Sequence, residues 1–160
     1  MRVTARQLSA AIIRRLMDAG TSLPQAEATA RHMVWCESVG RHNFGIERLA
    51  IHLKRLQAGV LAASAEVSIE RLTPSLARLD GGNGFGYFAA ERAMTEAIAM
   101  ARGSGIAAVG VHNSNFFGAG AYYVNMAAEA GMIGLAMSNS FPKVAAHGGL
   151  RPVLGTNPFA

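Results

Sequence analysis

Apolar residues recur at helical spacing through the first sixty positions, and then the spacing drops to two. Leu8, Ile12 and Leu16 share one helix face; Thr4-Ala5-Arg6-Gln7 opens that helix as a capping box and Gly20 stops it. Ser22-Leu23-Pro24-Gln25 starts a second helix that carries Ala26, Ala30, Met33 and Val34 to about Val39. A loop, Gly40-Arg41-His42-Asn43-Phe44-Gly45, leads to a third helix from Ile46 to about Ala58. There Leu49, Leu53 and Leu56 form the buried stripe, Arg48, His52 and Arg55 take the other face, and Gly59 ends the helix. From Glu66 to Arg71 polar and apolar residues alternate, as in a half-exposed strand, and Leu76 to Asp80 supplies its partner. Gly81-Gly82-Asn83-Gly84-Phe85-Gly86 then turns into a long helix, about Tyr87 to Arg102.

The second half holds a near-repeat. Gly105 opens the apolar run Ile106 to Val111, which ends on Asn113-Ser114; Gly131 opens Met132 to Met137, which ends on Asn139-Ser140. The offset is 26 at each landmark (105 to 131, 113 to 139), and Ala119 to Ala130 between them has helical character. Strand, crossover helix and strand make a parallel, right-handed βαβ unit. The two Asn-Ser pairs would then sit at the C-terminal ends of neighbouring strands, where open α/β sheets hold ligands. Asn and Ser also end strands simply as turn formers, but their recurrence in equivalent places favours a site. The fold class is therefore α/β: a helical segment over residues 1–60, then a mixed sheet with βαβ units over residues 61–160. Residues 141–160 read as loop. Gly155-Thr156-Asn157-Pro158-Phe159-Ala160 reads as a turn entering a further element, so the chain is expected to be part of a longer protein.

Composition narrows the partners. The 160 residues suffice for one domain with a real core. Hydrophobic residues are 51% and charged residues only 16%, which leaves apolar surface for something else to cover. The net charge of +5 raises the question of nucleic acid. Yet Arg14-Arg15, Arg41 and Lys54-Arg55 are dispersed, with no basic stripe carrying aromatics, so no nucleic-acid partner is expected. A positive excess also suits a small anionic substrate or a phosphate-bearing cofactor. A single cysteine, Cys36, excludes an intrachain disulfide, favours the cytoplasm and reads as a small buried hydrophobe. No signal peptide or apolar run of transmembrane length is seen, so no membrane association is expected.

The five histidines form no metal-binding set, and no metal is expected. His32 is placed on a solvated helix face and His112 at a strand end. His42 lies two residues before Phe44 in a loop flanked by Gly40 and Gly45. In an extended loop the two side chains would point the same way, which makes His42 the acid/base candidate. The segment from Gly82 reads G-x-G-x-G rather than G-x-G-x-x-G, so a tight turn is expected instead of a Rossmann dinucleotide loop. Asn113 to Tyr123 is a strand-to-helix turn whose small residues would admit a phosphate to backbone amides. One of Tyr122 and Tyr123 should face inward and the other line a cleft.

Taken together, Asn113 to Tyr123, Gly131-Met132-Ile133-Gly134, Ser138-Asn139-Ser140, Gly148-Gly149 and Gly155-Thr156-Asn157-Pro158 resemble the type-2 malate/L-lactate dehydrogenase family. Gly45-Ile46-Glu47-Arg48-Leu49 and Asn83-Gly84-Phe85-Gly86 fit it too. Its members include ureidoglycolate and sulfolactate dehydrogenases, diketogulonate reductases and reductases of cyclic imino acids. The resemblance spans the whole chain but about the N-terminal half of the family's usual length. It implies a non-Rossmann α/β fold and NAD or NADP as cofactor. It also implies hydride transfer on a small 2-oxo or 2-imino acid or its reduced partner, and a homodimer whose subunits complete each other's sites.

By motif, Arg48 takes the place of the arginine that holds the substrate carboxylate, and Tyr122 a substrate-contacting place. Phe116, Phe117, Gly118, Ala119 and Gly120 match the cofactor-contacting segment of residues 61–160, and Ser140 a further cofactor-contacting place. Two departures stand out. The family's Ser-His-Gly is Asn43-Phe44-Gly45 here, and its Asn-His-Phe-Gly is Asn115-Phe116-Phe117-Gly118. Asn43, Phe44 and Phe116 thus fill customary catalytic positions without a histidine. Phenylalanine donates no proton, and losing a general acid or base costs roughly 10²- to 10⁴-fold in rate. His42, Tyr122 or water would have to serve, in a pocket rebuilt for an apolar substrate group; a non-catalytic or truncated family member is the alternative.

Overall fold

Thr4 caps α1 (Ala5–Asp18) in the computed structural model, which describes residues 3–160. Its hydroxyl accepts the Gln7 amide at 3.2 Å and its own amide donates to the Gln7 side chain at 2.9 Å. Such a cap contributes about 1 kcal/mol. Ile12 and Leu16 are fully buried, and each contributes roughly 1.5–3 kcal/mol, so packing rather than capping holds this helix. α2 (Leu23–Ser38) crosses α1 and carries the buried Ala26, Ala30, Met33 and Cys36. A 3₁₀ turn, His42–Phe44, leads into α3 (Glu47–Gln57).

The α/β part begins with an antiparallel hairpin of β1 (Ser68–Thr73) and β2 (Leu76–Asp80). α4 (Gly86–Ser104) crosses over to β3 (Ala108–His112), which pairs parallel to β2 from Leu76↔Ala108 to Asp80↔His112. The sheet order is β1-β2-β3, so the βαβ unit of this fold is β2-α4-β3. α5 (Gly120–Glu129) follows, then a two-stranded ribbon of β4 (Val144–Ala145) and β5 (Pro152–Leu154) inside the stretch read as loop.

The second run of the repeat is not a sheet strand. A strand exists by its ladder, and only the end of this run finds one: Ala136 exchanges backbone bonds with Ala160, and the Ser138 amide donates to Pro158. Residues 133–135 have no such partner among the described residues. The two Asn-Ser pairs therefore do not end neighbouring strands.

Ile12, Leu16, Ala26, Ala30, Met33, Leu61, Phe85 and Tyr87 form the main core, and Leu79, Ala89 and Ala93 a smaller one beneath the sheet. Leu61 and the bonds Ser22 N–H to Ala63 O and Ala62 N–H to Asn83 O join the helical and α/β segments around that shared core. Packing also reverses two side-chain expectations. α1, α4 and α5 all pack against α2, which leaves no solvated face for His32; it is 0% exposed. On α3 the leucines are only half buried, while His52, assigned to the outer face, is buried.

Candidate functional site

At the C-terminal edge of β2 and β3, two polar turns are stitched together. Asp80 accepts the Gly82 amide at 2.8 Å and the Asn113 side-chain amide at 3.0 Å, and these bonds hold its carboxyl below the usual carboxylate range. The Asn113 carbonyl takes the Asn83 amide at 2.7 Å. Asn115 donates to the Asn83 carbonyl and side chain, both at 2.9 Å, and to the Gly84 carbonyl at 3.1 Å; Arg55 donates to Asn115 at 2.6 Å. A side chain at Gly86 would run into the carbonyls of Asn115 and Phe116, so glycine is required where α4 starts. The glycine-rich segment is thus a turn feeding a helix, and its work is to seat the Asn115–Phe116 backbone.

That seating brings Phe116 to α3. Its ring stacks on Phe44 with centroids 6.2 Å apart and planes 12° from parallel. The Arg48 guanidinium carbon lies 4.9 Å above Phe116 and 6.0 Å from the Phe44 centroid. Arg48 Nε donates to the Asn43 carbonyl at 2.7 Å, and no carboxylate pairs with Arg48 among the described residues. One bond and an aromatic shelf therefore fix the guanidinium while leaving its charge uncompensated.

His52 stands one helical turn beyond Arg48. Its Nε2 meets the Tyr87 hydroxyl at 2.9 Å, and its ring lies 6.2 Å from Phe116 and 5.7 Å from Phe85. Burial, then the charges of Arg55 and Arg48, push its pKa down to about 4, so the imidazole is neutral at pH 7. The sequence carried a signal for it, the i, i+4 spacing to Arg48, which the leucine stripe outweighed.

Phe44, Arg48 and Phe116 come together; His42, Tyr122 and Ser140 turn to other partners. The extended loop assumed for His42 is a 3₁₀ turn, in which residues two apart diverge. Its ring pairs with Glu37 at 2.6 Å and is largely exposed, while the other Glu37 oxygen takes the Ile46 amide. Asn43 is exposed. Tyr122 is half buried and donates to Glu91 at 3.1 Å, and Arg31 holds the same carboxylate; burial, then Glu91, pushes the phenol up to about 12. Tyr123 is the inward tyrosine and donates to the Phe117 carbonyl. Ser140 accepts the Thr156 amide at 2.9 Å and donates its own to Asn157 at 3.0 Å.

Between Phe117 and α5, Gly118 has φ +82° and is buried with Ala119, while Gly120 is half buried. His112 is exposed at its strand end. Among the described residues no three His, Cys, Asp or Glu groups stand together as a metal ion requires, and no helix is long and apolar enough to cross a membrane.

The family model for malate/L-lactate dehydrogenase matches residues 3–160. The chain belongs to the malate/L-lactate dehydrogenase family. The malate dehydrogenase of Pyrococcus abyssi is 39% identical over 160 residues, covering 100% of this chain and 44% of that protein. The ureidoglycolate dehydrogenase (NAD(+)) of Escherichia coli K12 is 33% identical over 160 residues, 100% of this chain and 46% of that protein. The solved malate dehydrogenase of Pyrococcus horikoshii superposes with a TM-score of 0.93 at 36% identity, covering 99% of this chain and 46% of that one. The chain spans less than half the length of these relatives. This member of the malate/L-lactate dehydrogenase family thus has an aromatic pair beneath an arginine that meets no carboxylate among the described residues, with a neutral imidazole one turn away.

Proposed function

We propose that this chain is the N-terminal part of an NAD(P)-dependent oxidoreductase acting on a small 2-oxo or cyclic 2-imino acid, or on its reduced partner. The observation that carries the reading is Arg48, a guanidinium fixed by Asn43 and Phe116 with no carboxylate partner among the described residues. A substrate carboxylate would pair with it through two parallel hydrogen bonds. The Phe44–Phe116 pair would shield that ion pair from water and accommodate an apolar substrate group beside it. The names of the relatives, dehydrogenases of small acids, agree with this chemistry.

Residues 116–120 and Ser140 are the proposed cofactor contacts, within a nucleotide-binding segment of residues 61–160. Gly118, Ala119, Gly120 and Ala121 carry nothing larger than a methyl group, and the amides of Gly120 and Ala121 have no protein acceptor among the described residues. Such a turn fits a phosphate. When bound, the nicotinamide supplies or takes the hydride. To the proton sources named above, His42, Tyr122 and water, the proposal adds His52, supported by its bond to Tyr87 and its ring 6.2 Å from Phe116. The reading includes a cytoplasmic homodimer.

The second reading, a family member that binds but does not catalyse, is favoured by one observation: phenylalanine at both 44 and 116. Oxidation of NADH and NADPH against a panel of 2-oxo and cyclic imino acids separates the two. Turnover that falls in Arg48→Ala supports the oxidoreductase. Cofactor binding without turnover on any member of the panel supports the non-catalytic reading.

A further inference from the structure

The turn proposed to meet the cofactor is held from behind by a histidine that no motif marks. His32 is fully buried on α2, and its Nε2 accepts the Ala119 amide at 3.0 Å across 87 residues of chain. An acceptor nitrogen carries no proton, so the neutral ring must be protonated on Nδ1. Cys36 Sγ, one turn along the same helix, lies 3.7 Å from Nδ1 and 3.9 Å from Nε2. Burial pushes the Cys36 thiol up to about 11 and the His32 pKa down to about 4, so both partners are neutral around pH 7.

The ring is clamped by tyrosines. Tyr87, Tyr122 and Tyr123 lie 4.7, 5.0 and 5.8 Å from it, centroid to centroid. Gly118 completes the fit: its φ of +82° disfavours any side chain, and a methyl group there would overlap the His32 ring and a Tyr87 ring carbon. The turn is pinned on either side of Gly118, with the Phe117 carbonyl on Tyr123 and the Ala119 amide on His32. Two bonds at fixed sites with a left-handed glycine between them leave the backbone one course. It ends with the Gly120 and Ala121 amides at the start of α5 without an acceptor among the described residues.

We propose that His32 is a positioning residue for the Phe116–Gly120 turn. It acts as a neutral Nδ1–H imidazole whose Nε2 fixes the Ala119 amide, and so sets where a phosphate-bearing ligand meets the first amides of α5. The ligand part of the proposal rests on the function proposed above; the hold on the turn does not.

The direct test is nuclear magnetic resonance on the ¹⁵N-labelled full chain. A coupling across the hydrogen bond between Ala119 N and His32 Nε2, with the Nε2 shift of an unprotonated nitrogen, is expected. A protonated Nε2, or no coupling, would overturn the proposal without any variant having to fold. Among variants, His32→Leu should speed exchange of the Ala119 amide about ten-fold, the loss of one buried hydrogen bond, and weaken NADH binding by about as much. His32→Gln, whose carbonyl can accept the same amide, should restore both. Unchanged Ala119 protection in His32→Leu would also overturn it. If coupling and protection behave as expected but wild-type protein binds neither NADH nor NADPH, the oxidoreductase reading fails and the hold of His32 on the turn stands.

Discussion

Arg48 and His52 share one face of α3, yet they face opposite electrostatic conditions. The Arg48 guanidinium lies over an aromatic ring, whereas burial keeps the His52 imidazole neutral. Replacing Arg48 by lysine keeps the charge but removes the planar fork. We expect kcat/KM for a carboxylate substrate to fall roughly 10- to 100-fold, the value of one charge-assisted hydrogen bond. Steady-state kinetics would show an unchanged value if Arg48 does not hold the substrate.

His32 and His52 also set a pH dependence of stability. Both are lowered from 6.5 to about 4, first of all by burial. Below pH 6.5 the unfolded chain takes up protons that the folded chain refuses. Their contribution is therefore full above pH 6.5 and is lost as pH falls toward 4, about 3 kcal/mol for each group. Urea unfolding at stepped pH should show this decline, and His32→Gln should flatten it by about half. A flat profile in the parent protein would contradict the burial assigned to both rings. Neither histidine was legible as buried in the sequence. Whether a helix face meets solvent depends on what packs across from it, and for His32 the rings that do so, Tyr87, Tyr122 and Tyr123, lie about 55 to 91 residues further along the chain.

At the scale of elements, local pattern was enough wherever the element is held by its own residues. The Thr4–Gln7 cap, the three N-terminal helices, Leu76–Asp80 and the long crossover helix lie where periodicity and stop signals place them. The run Met132–Met137 has the same apolar character as Ala108–His112, but β structure is a property of pairs, and its partner cannot be read from the run itself. The turn at Gly118 makes a sharper test. Gly118→Ala should destabilise the chain by more than about 2 kcal/mol, through strain at positive φ and overlap with His32 and Tyr87. Gly103→Ala, inside α4 with open space around it, should stabilise by about 0.5–1 kcal/mol. Equal effects in chemical denaturation would mean that the Gly118 turn is not packed as described.

For the molecule as a whole, the apolar surface is unevenly spread. Ile133 is 96% exposed and Leu150 fully so, with Phe141, Val153 and Phe159 also bare. Surface of this kind is normally covered. The 160-residue chain should therefore self-associate, with a sedimentation mass that rises with concentration; a monodisperse monomer would contradict this. The family was legible from the turns, because glycine and asparagine positions are fixed by backbone geometry. The packing that joins those turns was not, because it brings α2, α3 and α4 against residues 115–119 from distant parts of the chain.

The nicotinamide-cofactor site proposed at the Phe116–Gly120 turn can be tested by direct binding. Trp35, the only tryptophan, lies 5.6 Å from the Tyr122 ring and reports on that region by its fluorescence. Titration with NADH and NADPH should quench it saturably with Kd in roughly the micromolar range. Ser140→Phe should shift the curve to higher concentration while unfolding stays cooperative. No quenching by either nucleotide up to millimolar concentration would contradict a cofactor site at this turn.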